Sequence, residues 1–324
     1  MKALVTGGAG FVGSHLVERL VSEGNAVWVL DDLSTGSLAN LRAVLNHPAL
    51  HFVEGSVLDR ALVNDLAASC DTIFHLAAAV GVRRILDQPR LSIETNLRGT
   101  EHVLAAAAAG GQHVLIASTS EVYGKNDAGP LREDADSIVG PTHVTRWLYA
   151  ITKAADECLA LAYARETALP VVVVRLFNTI GPRQTGQYGM VVPRFVQQAL
   201  RGDPITVYGD GQQTRCFTYV DDVVTAMRVL IDHPRAAGEV FNVGQAREVS
   251  IELLAHLIRR LANSSSPIVQ VPYAEAYGGG FEDMQRRVPD VTKLRCTTGF
   301  TPSVSLEEAL VRIIAAERSG QARD

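Results

Sequence analysis

The sequence predicts an α/β fold, a doubly wound parallel sheet with a smaller C-terminal α/β part, and two observations support this. Short apolar runs alternate with helical patterns along the first half of the chain, as in a series of β-α-β units. One of these runs contains four consecutive valines at residues 171–174. Continuous rather than alternating hydrophobicity is typical of a parallel strand that is covered on both faces.

Each element follows from a local pattern of hydrophobicity. The predicted strands are residues 2–6, 26–30, 51–53, 72–76, 113–117 and 171–176. The predicted helices include residues 11–22, 91–109 and 149–165. Beyond Asn178 the alternation becomes irregular, and glycines next to proline or aspartate separate shorter elements. We therefore predict a first domain at 1–178, to which 216–247 return, and a substrate-binding part at 179–215 and 248–324.

A glycine-rich turn joins the first predicted strand to the first predicted helix. Gly7, Gly10 and Gly13 lie three residues apart where the chain must turn tightly. Glycine lets the backbone approach a pyrophosphate, whose charge is stabilised by N–H groups at the start of the helix. The next strand ends in Asp31 and Asp32, where a carboxylate can accept hydrogen bonds from a ribose and would repel the 2′-phosphate of NADP. The pattern predicts a Rossmann-type site for NAD.

Composition and charge argue against several other classes of protein. The 324 residues are 47% hydrophobic and 20% charged, which is ordinary for a globular protein. The net charge of −5, without a basic run, argues against a nucleic-acid partner. Because the four cysteines form no C-x-x-C pair, we expect no metal site and no disulfides, but reduced core thiols in a cytoplasmic protein. The apolar stretches are too short for a membrane span or a signal peptide.

Two segments place acid-base groups where open α/β sheets bind their ligands. Tyr149 and Lys153 lie four residues apart and would share a helix face, so the ammonium is expected to lower the pKa of the phenol. Thr119 and Glu121, after the fifth strand, add a hydroxyl and a carboxylate. The alternative interpretation is an ordinary tyrosine and lysine on a helix surface, and the upstream glycine turn disfavours it.

The chain resembles the extended short-chain dehydrogenase/reductase family of nucleotide-sugar epimerases, dehydratases and decarboxylases. Besides the glycine turn and the Tyr149–Lys153 pair, residues 75–78, 175–183 and 209–215 carry the resemblance. It implies bound NAD and a UDP-sugar substrate. The cofactor contacts that it implies are Gly7, Gly10, Phe11, Val12, Asp31, Val57, Asp59, Leu76, Ala77, Tyr149 and Lys153. The substrate contacts that it implies are Asn178, Val192, Tyr208 and Arg215.

Residues 119–124, 139–149 and 277–290 resemble, more narrowly, the branch of the family that acts on UDP-glucuronate. This implies that Arg146 and Arg287 meet the sugar carboxylate, and that Asp283 belongs to the substrate loop. Alternatively, the two arginines would only pair with acids such as Asp156 or Asp283. The apiose-forming members carry a cysteine before the glutamate, and Ser120 at that position argues against ring contraction.

The resemblance favours a UDP-glucuronate decarboxylase. Tyr149, assisted by Thr119 and Lys153, would take the proton of the C4 hydroxyl as NAD oxidises that carbon. The C4 ketone makes the C6 acid a β-keto acid, which can lose carbon dioxide to leave an enolate. Glu121 or Arg287 would then handle the proton at C5. The product is UDP-xylose or a UDP-4-keto-pentose, and the residues do not decide between them.

Three alternatives stay open. A UDP-sugar 4-epimerase needs the same tyrosine, lysine and NAD, but it has no evident use for Glu121. A 4,6-dehydratase needs a carboxylate in that loop, but it does not need Arg146. A catalytically idle NAD-binding protein is disfavoured because Thr119, Tyr149 and Lys153 occur together.

A homodimer through helices 91–109 and 149–165 is expected, because the family commonly pairs the equivalent helices into a four-helix interface. Alternatively, the alanine run at 105–109 only packs on the sheet.

Overall fold

Strands and helices alternate along the chain. The computed structural model describes residues 1–81, 85, 87–186, 190–272, 275 and 286–321. The strands are β1 Lys2–Thr6, β2 Ala26–Asp31, β3 Leu50–Glu54, β4 Thr72–His75, β5 His113–Thr119, β6 Val171–Leu176, β7 Thr179–Ile180, β8 Ile205–Tyr208, β9 Thr214–Cys216, β10 Thr218–Tyr219, β11 Glu239–Val243, β12 Glu248–Ser250 and β13 Ile268–Val271. The α-helices are α1 Phe11–Ser22, α2 Arg60–Ala67, α3 Pro89–Gly110, α4 Leu148–Thr167, α5 Val191–Arg201, α6 Val220–Ile231, α7 Ile251–Leu261, α8 Thr292–Thr298 and α9 Leu306–Gln321.

Seven parallel strands form one sheet in the order β11-β6-β5-β4-β1-β2-β3. The strand order reverses at β1, which pairs with β2 on one side and with β4 on the other. In open α/β sheets, such a reversal opens a crevice at the carboxyl ends of the strands, where ligands bind. The predicted α/β fold with a doubly wound parallel sheet is confirmed. The seventh strand, β11, comes from the segment 216–247.

The two faces of the sheet bury separate hydrophobic clusters. Alternate side chains of a strand point to opposite faces. Val172 and Val174 accordingly pack with α1 and α6, whereas Val171 and Val173 pack with α2, α3 and α4. All four valines are buried, and a fully buried valine side chain contributes about 1.5 to 3 kcal/mol. Coverage on both faces is the physical reason for the continuous valine run.

Shorter elements follow β6. Strand β8 pairs in parallel with β13, and β9 pairs in antiparallel with β12. Helices α5, α7 and α9 contact one another beside these strands. The predicted division into two domains stays a prediction.

Among the described residues, no helix is both long and apolar enough to cross a membrane. All four cysteines are free. Cys70 and Cys216 are buried, but Cys158 on α4 and Cys296 on α8 are exposed. The prediction of core thiols is therefore wrong for these two, because each lies on the outward side of its helix.

The glycine turn between β1 and α1 is closely packed. Gly7 has a φ angle of +72°, a backbone conformation that other residues rarely adopt. A Cβ atom on Gly13 would overlap the carbonyl oxygen of Gly7. Helix α1 can therefore begin against the turn only if residue 13 has no side chain.

We expect Gly13→Ala to lower the free energy of unfolding by about 1 to 3 kcal/mol, because backbone atoms must shift to admit the methyl group. NAD binding should weaken with it, since the turn changes shape. Urea unfolding and NAD titration measure the two effects.

Gly320→Ala is the matched control, because a Cβ at that position of α9 meets no atom within 4 Å. If Gly13→Ala behaves like this control in both measurements, the turn does not require glycine at residue 13.

Candidate active site

A cavity of about 520 Å³ lies at the carboxyl ends of the central strands. The predicted site residues that line it are Gly7, Gly10, Phe11, Val12, Asp31, Val57, Leu76, Ala77, Thr119, Glu121, Tyr149, Asn178 and Arg287. Others lie outside its lining: Asp59, Arg146, Lys153, Val192, Tyr208 and Arg215. Asp283 lies outside the described residues. The structure therefore brings most of the predicted residues together around one space.

At the end of β2, the Asp31 carboxylate is fixed by the backbone of its neighbours. Its oxygens accept hydrogen bonds from the N–H groups of Ala9 and Leu33, each at 2.9 Å. Burial raises the pKa of Asp31, against the effect of these hydrogen bonds. The carboxylate thus stands beside the glycine turn, on the wall of the cavity.

The loop after β2 contributes cavity residues that the sequence analysis missed. Ser34, Thr35, Ser37 and Asn40 line the cavity. The side-chain amide of Asn40 donates to the carbonyl of Ala9 at 2.8 Å, which holds the loop against the glycine turn. A run of hydroxyl and amide residues directly after an acidic strand end was the available signal.

These residues fit NAD. Gly7, Gly10 and Gly13 line the cavity, so no side chain of these residues stands between the backbone of the turn and a pyrophosphate. Helix α1 starts at Gly10 without a side-chain cap, which leaves its first N–H groups free of a capping side chain. Asp31 is placed to accept hydrogen bonds from a ribose.

At the other end of the cavity, Glu121 lies among arginines. The Glu121 carboxylate accepts a hydrogen bond from Arg146 Nη1 at 2.6 Å, and Arg287 Nη1 lies 3.8 Å from its second oxygen. Burial opposes ionisation of Glu121, but the charges of Arg146, Arg287 and Arg215 together hold its pKa below the ordinary value. The Glu121 carboxylate thus contacts two guanidinium groups and lies in the positive field of a third.

Arg146 reaches Glu121 from the segment that precedes α4. Its guanidinium carbon lies 5.8 Å from the centroid of the Trp147 ring, and Trp147 itself is fully buried. A Cβ atom on Gly140 would overlap that ring. Glu121 is therefore a partner of Arg146, whereas Asp156 accepts a hydrogen bond from Lys153, and Asp283 lies outside the described residues.

Arg287 is placed by a contact between distant segments. Leu131 pairs with the segment 288–290: its N–H donates to the Val288 carbonyl at 2.7 Å, and its carbonyl accepts from the Asp290 N–H at 2.9 Å. The Asn242 amide of β11 donates to the carbonyls of Leu131 and Asp290. Arg287 Nη1 then donates to the Ser120 hydroxyl at 3.2 Å.

The same asparagine fixes the loop that carries Glu121. The buried Tyr123 hydroxyl donates to the Asn242 side-chain oxygen at 2.7 Å. Asn242 therefore joins the loop after β5, which carries Glu121, to the segment that carries Arg287. The contact between Glu121 and Arg287 depends on this junction.

Tyr149 lines the cavity from the first turn of α4, but Lys153 does not act on it as predicted. The Lys153 ammonium donates to Asp156 at 2.7 Å, and both side chains are buried. Burial raises the pKa of Tyr149, and the negative charges of Glu121 and Asp156 raise it further. The expectation that Lys153 lowers this pKa is therefore not met, because Asp156 binds the ammonium.

Four other predicted residues have structural contacts away from the cavity. Asp59 caps α2, where its carboxylate accepts from the Leu62 N–H at 3.1 Å. Val192 is buried in the core. The Tyr208 ring lies 3.7 Å from the guanidinium carbon of Arg194. Arg215 Nη1 donates to the Thr214 carbonyl, and its charge still reaches Glu121.

Asn178 lines the cavity, and its amide donates to the Cys216 carbonyl at 2.8 Å, so the end of β6 is joined to the end of β9. Within the described part of the chain, no group of three or more His, Cys, Asp or Glu side chains could hold a metal ion.

The fold and the site define a class: an α/β protein with a Rossmann-type cavity that fits NAD, and with a tyrosine and arginine-bound Glu121 at its other end. The chain belongs to the NAD dependent epimerase/dehydratase family, whose sequence model matches residues 3–244. The predicted family and its NAD cofactor are confirmed.

Three relatives are informative. The UDP-N-acetyl-alpha-D-glucosaminuronate decarboxylase of Bacillus cytotoxicus is 44% identical over 97% of this chain and 96% of its own. The UDP-glucuronic acid decarboxylase 1 of Xenopus tropicalis is 36% identical over 97% of this chain and 71% of its own. The crystal structure of the UDP-glucose 4-epimerase of Thermotoga maritima has a TM-score of 0.90 at 31% identity, over 99% of this chain and 100% of its own.

We expect Glu121→Gln to lower the free energy of unfolding near neutral pH by about 1 to 3 kcal/mol, because it removes the charged partner that the buried Arg146 and Arg287 contact. A carboxyl whose pKa is lower in the folded protein than in the unfolded chain stabilises the fold at pH values above its unfolded-state pKa. This stabilisation is lost as the pH falls through the folded-state pKa. The difference between variant and parent should therefore shrink below the ordinary pKa of 4.5.

Thermal unfolding over this pH range measures the difference. Glu54→Gln, at an exposed position at the end of β3, is the control for a change of charge alone. A difference that stays constant into acid would show that Glu121 is not ionised in the folded protein.

Proposed function

We propose that the chain is a UDP-uronate decarboxylase that acts through a C4-keto intermediate, with UDP-glucuronate as the favoured substrate. The arginine cluster around Glu121 is the observation that carries this proposal. It lies near Tyr149, and the guanidinium groups of Arg146 and Arg287, which already contact one carboxylate, are suited to bind a second carboxylate there. A uronate supplies that carboxylate at C6, and a neutral hexose does not.

The sequence relatives support the same reaction. Two of them are named as decarboxylases of UDP-sugar acids, and one of these acts on the 2-acetamido form. The reaction at C4, C5 and C6 is the same for both substrates. UDP-N-acetylglucosaminuronate is therefore the second substrate to test.

The residues of the chain divide the proposed reaction among them. NAD, when bound, would supply reversible oxidation of the sugar at C4. Tyr149 acts as the phenolate and takes the proton of the C4 hydroxyl to become a phenol, and the Thr119 hydroxyl donates a hydrogen bond to the C4 oxygen. Arg146 and Arg287 orient the carboxylate, which departs as carbon dioxide once C4 is a ketone. The electron pair left behind forms an enolate, and a proton at C5 then completes the pentose.

Glu121 is held ionised by its arginines, so it is a poor proton donor in the state described here. When the substrate carboxylate binds the same arginines, it competes with Glu121 for them. Loss of carbon dioxide then returns the arginines to Glu121. On this proposal, Glu121 loses these ion pairs while the substrate carboxylate occupies the arginines, which raises its pKa, so that it binds a proton from solvent. It donates that proton to C5 of the enolate after carbon dioxide has left, and its carboxylate then pairs with the arginines again.

A 4-epimerase is the alternative that a specific observation favours, because the solved epimerase superimposes on nearly the whole chain. Such an enzyme needs the tyrosine and NAD, but its reaction at C4 does not need the arginines around Glu121. The products of UDP-glucuronate distinguish the two reactions.

The homodimer and the cytoplasmic location stay proposals. Helices α3 and α4 contact each other, and they expose Leu91, Ile93 and Ile151. Apolar side chains on adjacent helices support a dimer in which these helices pair with their counterparts.

With UDP-glucuronate, the protein should release carbon dioxide and form a UDP-pentose or UDP-4-keto-pentose, while UDP-glucose should be a poor substrate. Mass spectrometry of the nucleotide products and trapping of carbon dioxide measure this, with UDP-N-acetylglucosaminuronate in parallel. UDP-galacturonate formed without carbon dioxide would make the protein a 4-epimerase and the proposal wrong.

Tyr149→Phe should lower turnover by about 10² to 10⁴, the usual contribution of a positioned acid-base group, and should leave NAD binding intact. Tyr163→Phe removes a hydroxyl from the same helix and is the control. Turnover of Tyr149→Phe within about threefold of the control would remove Tyr149 from the proton transfer.

A further inference from the structure

Three ionisable side chains follow one another along one face of α4. Tyr149, Lys153 and Asp156 are separated by four and then three residues, the spacing of neighbours on a helix surface. Tyr149 lines the cavity, and the other two are buried. Of these three, the proton transfer proposed above involves only Tyr149, so the roles of Lys153 and Asp156 are open.

Asp156 is the anion that balances Lys153. The carboxylate accepts the hydrogen bond of the ammonium at 2.7 Å. His75 at the end of β4 supplies no charge, because burial and the charge of Lys153 lower its pKa to about 3. Glu157, the next residue on α4, is engaged by Arg175 at 2.7 Å.

The other groups around the pair are neutral or already paired. Thr100 of α3 contributes a hydroxyl, which hydrogen-bonds His75 Nε2 at 3.1 Å. Glu121, from the loop after β5, pairs with Arg146. The charge of Lys153 therefore has one dedicated partner among the residues that face it, and that partner is Asp156.

In the pair, the negative charge of Asp156 offsets the positive charge of Lys153 at Tyr149. Two opposite charges close together have a weak combined field at a third group, whereas a single ammonium would attract the negative phenolate. Burial and the charges of Glu121 and Asp156 accordingly raise the pKa of Tyr149. Lys153 thus lies on the same helix face as Tyr149, but the charge of Asp156 offsets its positive charge.

We propose that Asp156 is a positioning residue, which holds the Lys153 ammonium in place and offsets the positive charge that the Tyr149 phenol would otherwise experience. The inference rests on the proposed function, because that function assigns the proton transfer to Tyr149. Asp156 touches neither substrate nor cavity, and it acts through Lys153.

The pH profile of turnover tests this. Asp156→Asn keeps the shape of the side chain and removes its charge, so the acidic limb of kcat/KM should shift to lower pH by about one unit, as expected when an opposite charge is unmasked beside a titrating group. Asp156→Glu retains the charge and should keep the parental limb. Asp65→Asn makes the same change at an exposed position of α2 and is the control.

A direct titration separates this inference from the proposed function. The ultraviolet absorbance of tyrosinate is followed with rising pH in protein with NAD alone, and Tyr149→Phe identifies the signal of Tyr149 among the eight tyrosines. The Asp156→Asn midpoint for Tyr149 should again be about one pH unit lower than the parental one. This readout applies even if the parent does not decarboxylate UDP-glucuronate, in which case only the proposed function fails.

An unchanged or higher midpoint in Asp156→Asn, with circular dichroism and NAD affinity like those of the parent, would overturn the inference. Should this variant not fold, Asp156→Ser makes the same change of charge with a smaller side chain, and its midpoint decides in the same way.

Discussion

Burial of charge on helix α4 is the constraint on which the catalytic end of the structure depends. A charged side chain can be buried only beside a partner that compensates it. Glu157 meets Arg175 of β6 and accepts a hydrogen bond from Ser118 of β5, so the helix is joined to two neighbouring strands. Tyr149 belongs to the same helix, and Thr119 follows Ser118. The relative positions of the Tyr149 and Thr119 hydroxyls, to which we assign the proton transfer, therefore depend on an ion pair that touches neither of them.

The fold could be predicted because periodic patterns determine it. Strands β1 and β6 and helix α1 have the predicted bounds, since each begins and ends where its apolar pattern does. Strand β5 is longer than predicted because Ser118 and Thr119 are polar, although their backbones continue to pair with β6. A pattern of side chains does not report such backbone pairing, and here the pairing carries a catalytic residue.

The side-chain partners in the site could not be predicted from spacing. Lys153 has Tyr149 one turn before it and Asp156 one turn after it, and both positions share its face. Lys153 pairs with Asp156 because a buried carboxylate needs a counter-charge more than a neutral phenol does. Arg287 reaches Ser120 across 167 positions of the chain, so only the folded structure brings them together.

The central position of β1 has a consequence for the order of assembly. One edge of β1 pairs with β2 soon after both are synthesised, whereas the other edge waits for β4 at residues 72–75. An unpaired strand edge in a nascent chain is prone to association with other chains, and pairing over long sequence distances is slow. Strands β5, β6 and β11 can then add only outward from β4, in the order in which they leave the ribosome. A chain that ends before residue 239 lacks β11, so the edge of β6 that β11 covers would be unpaired.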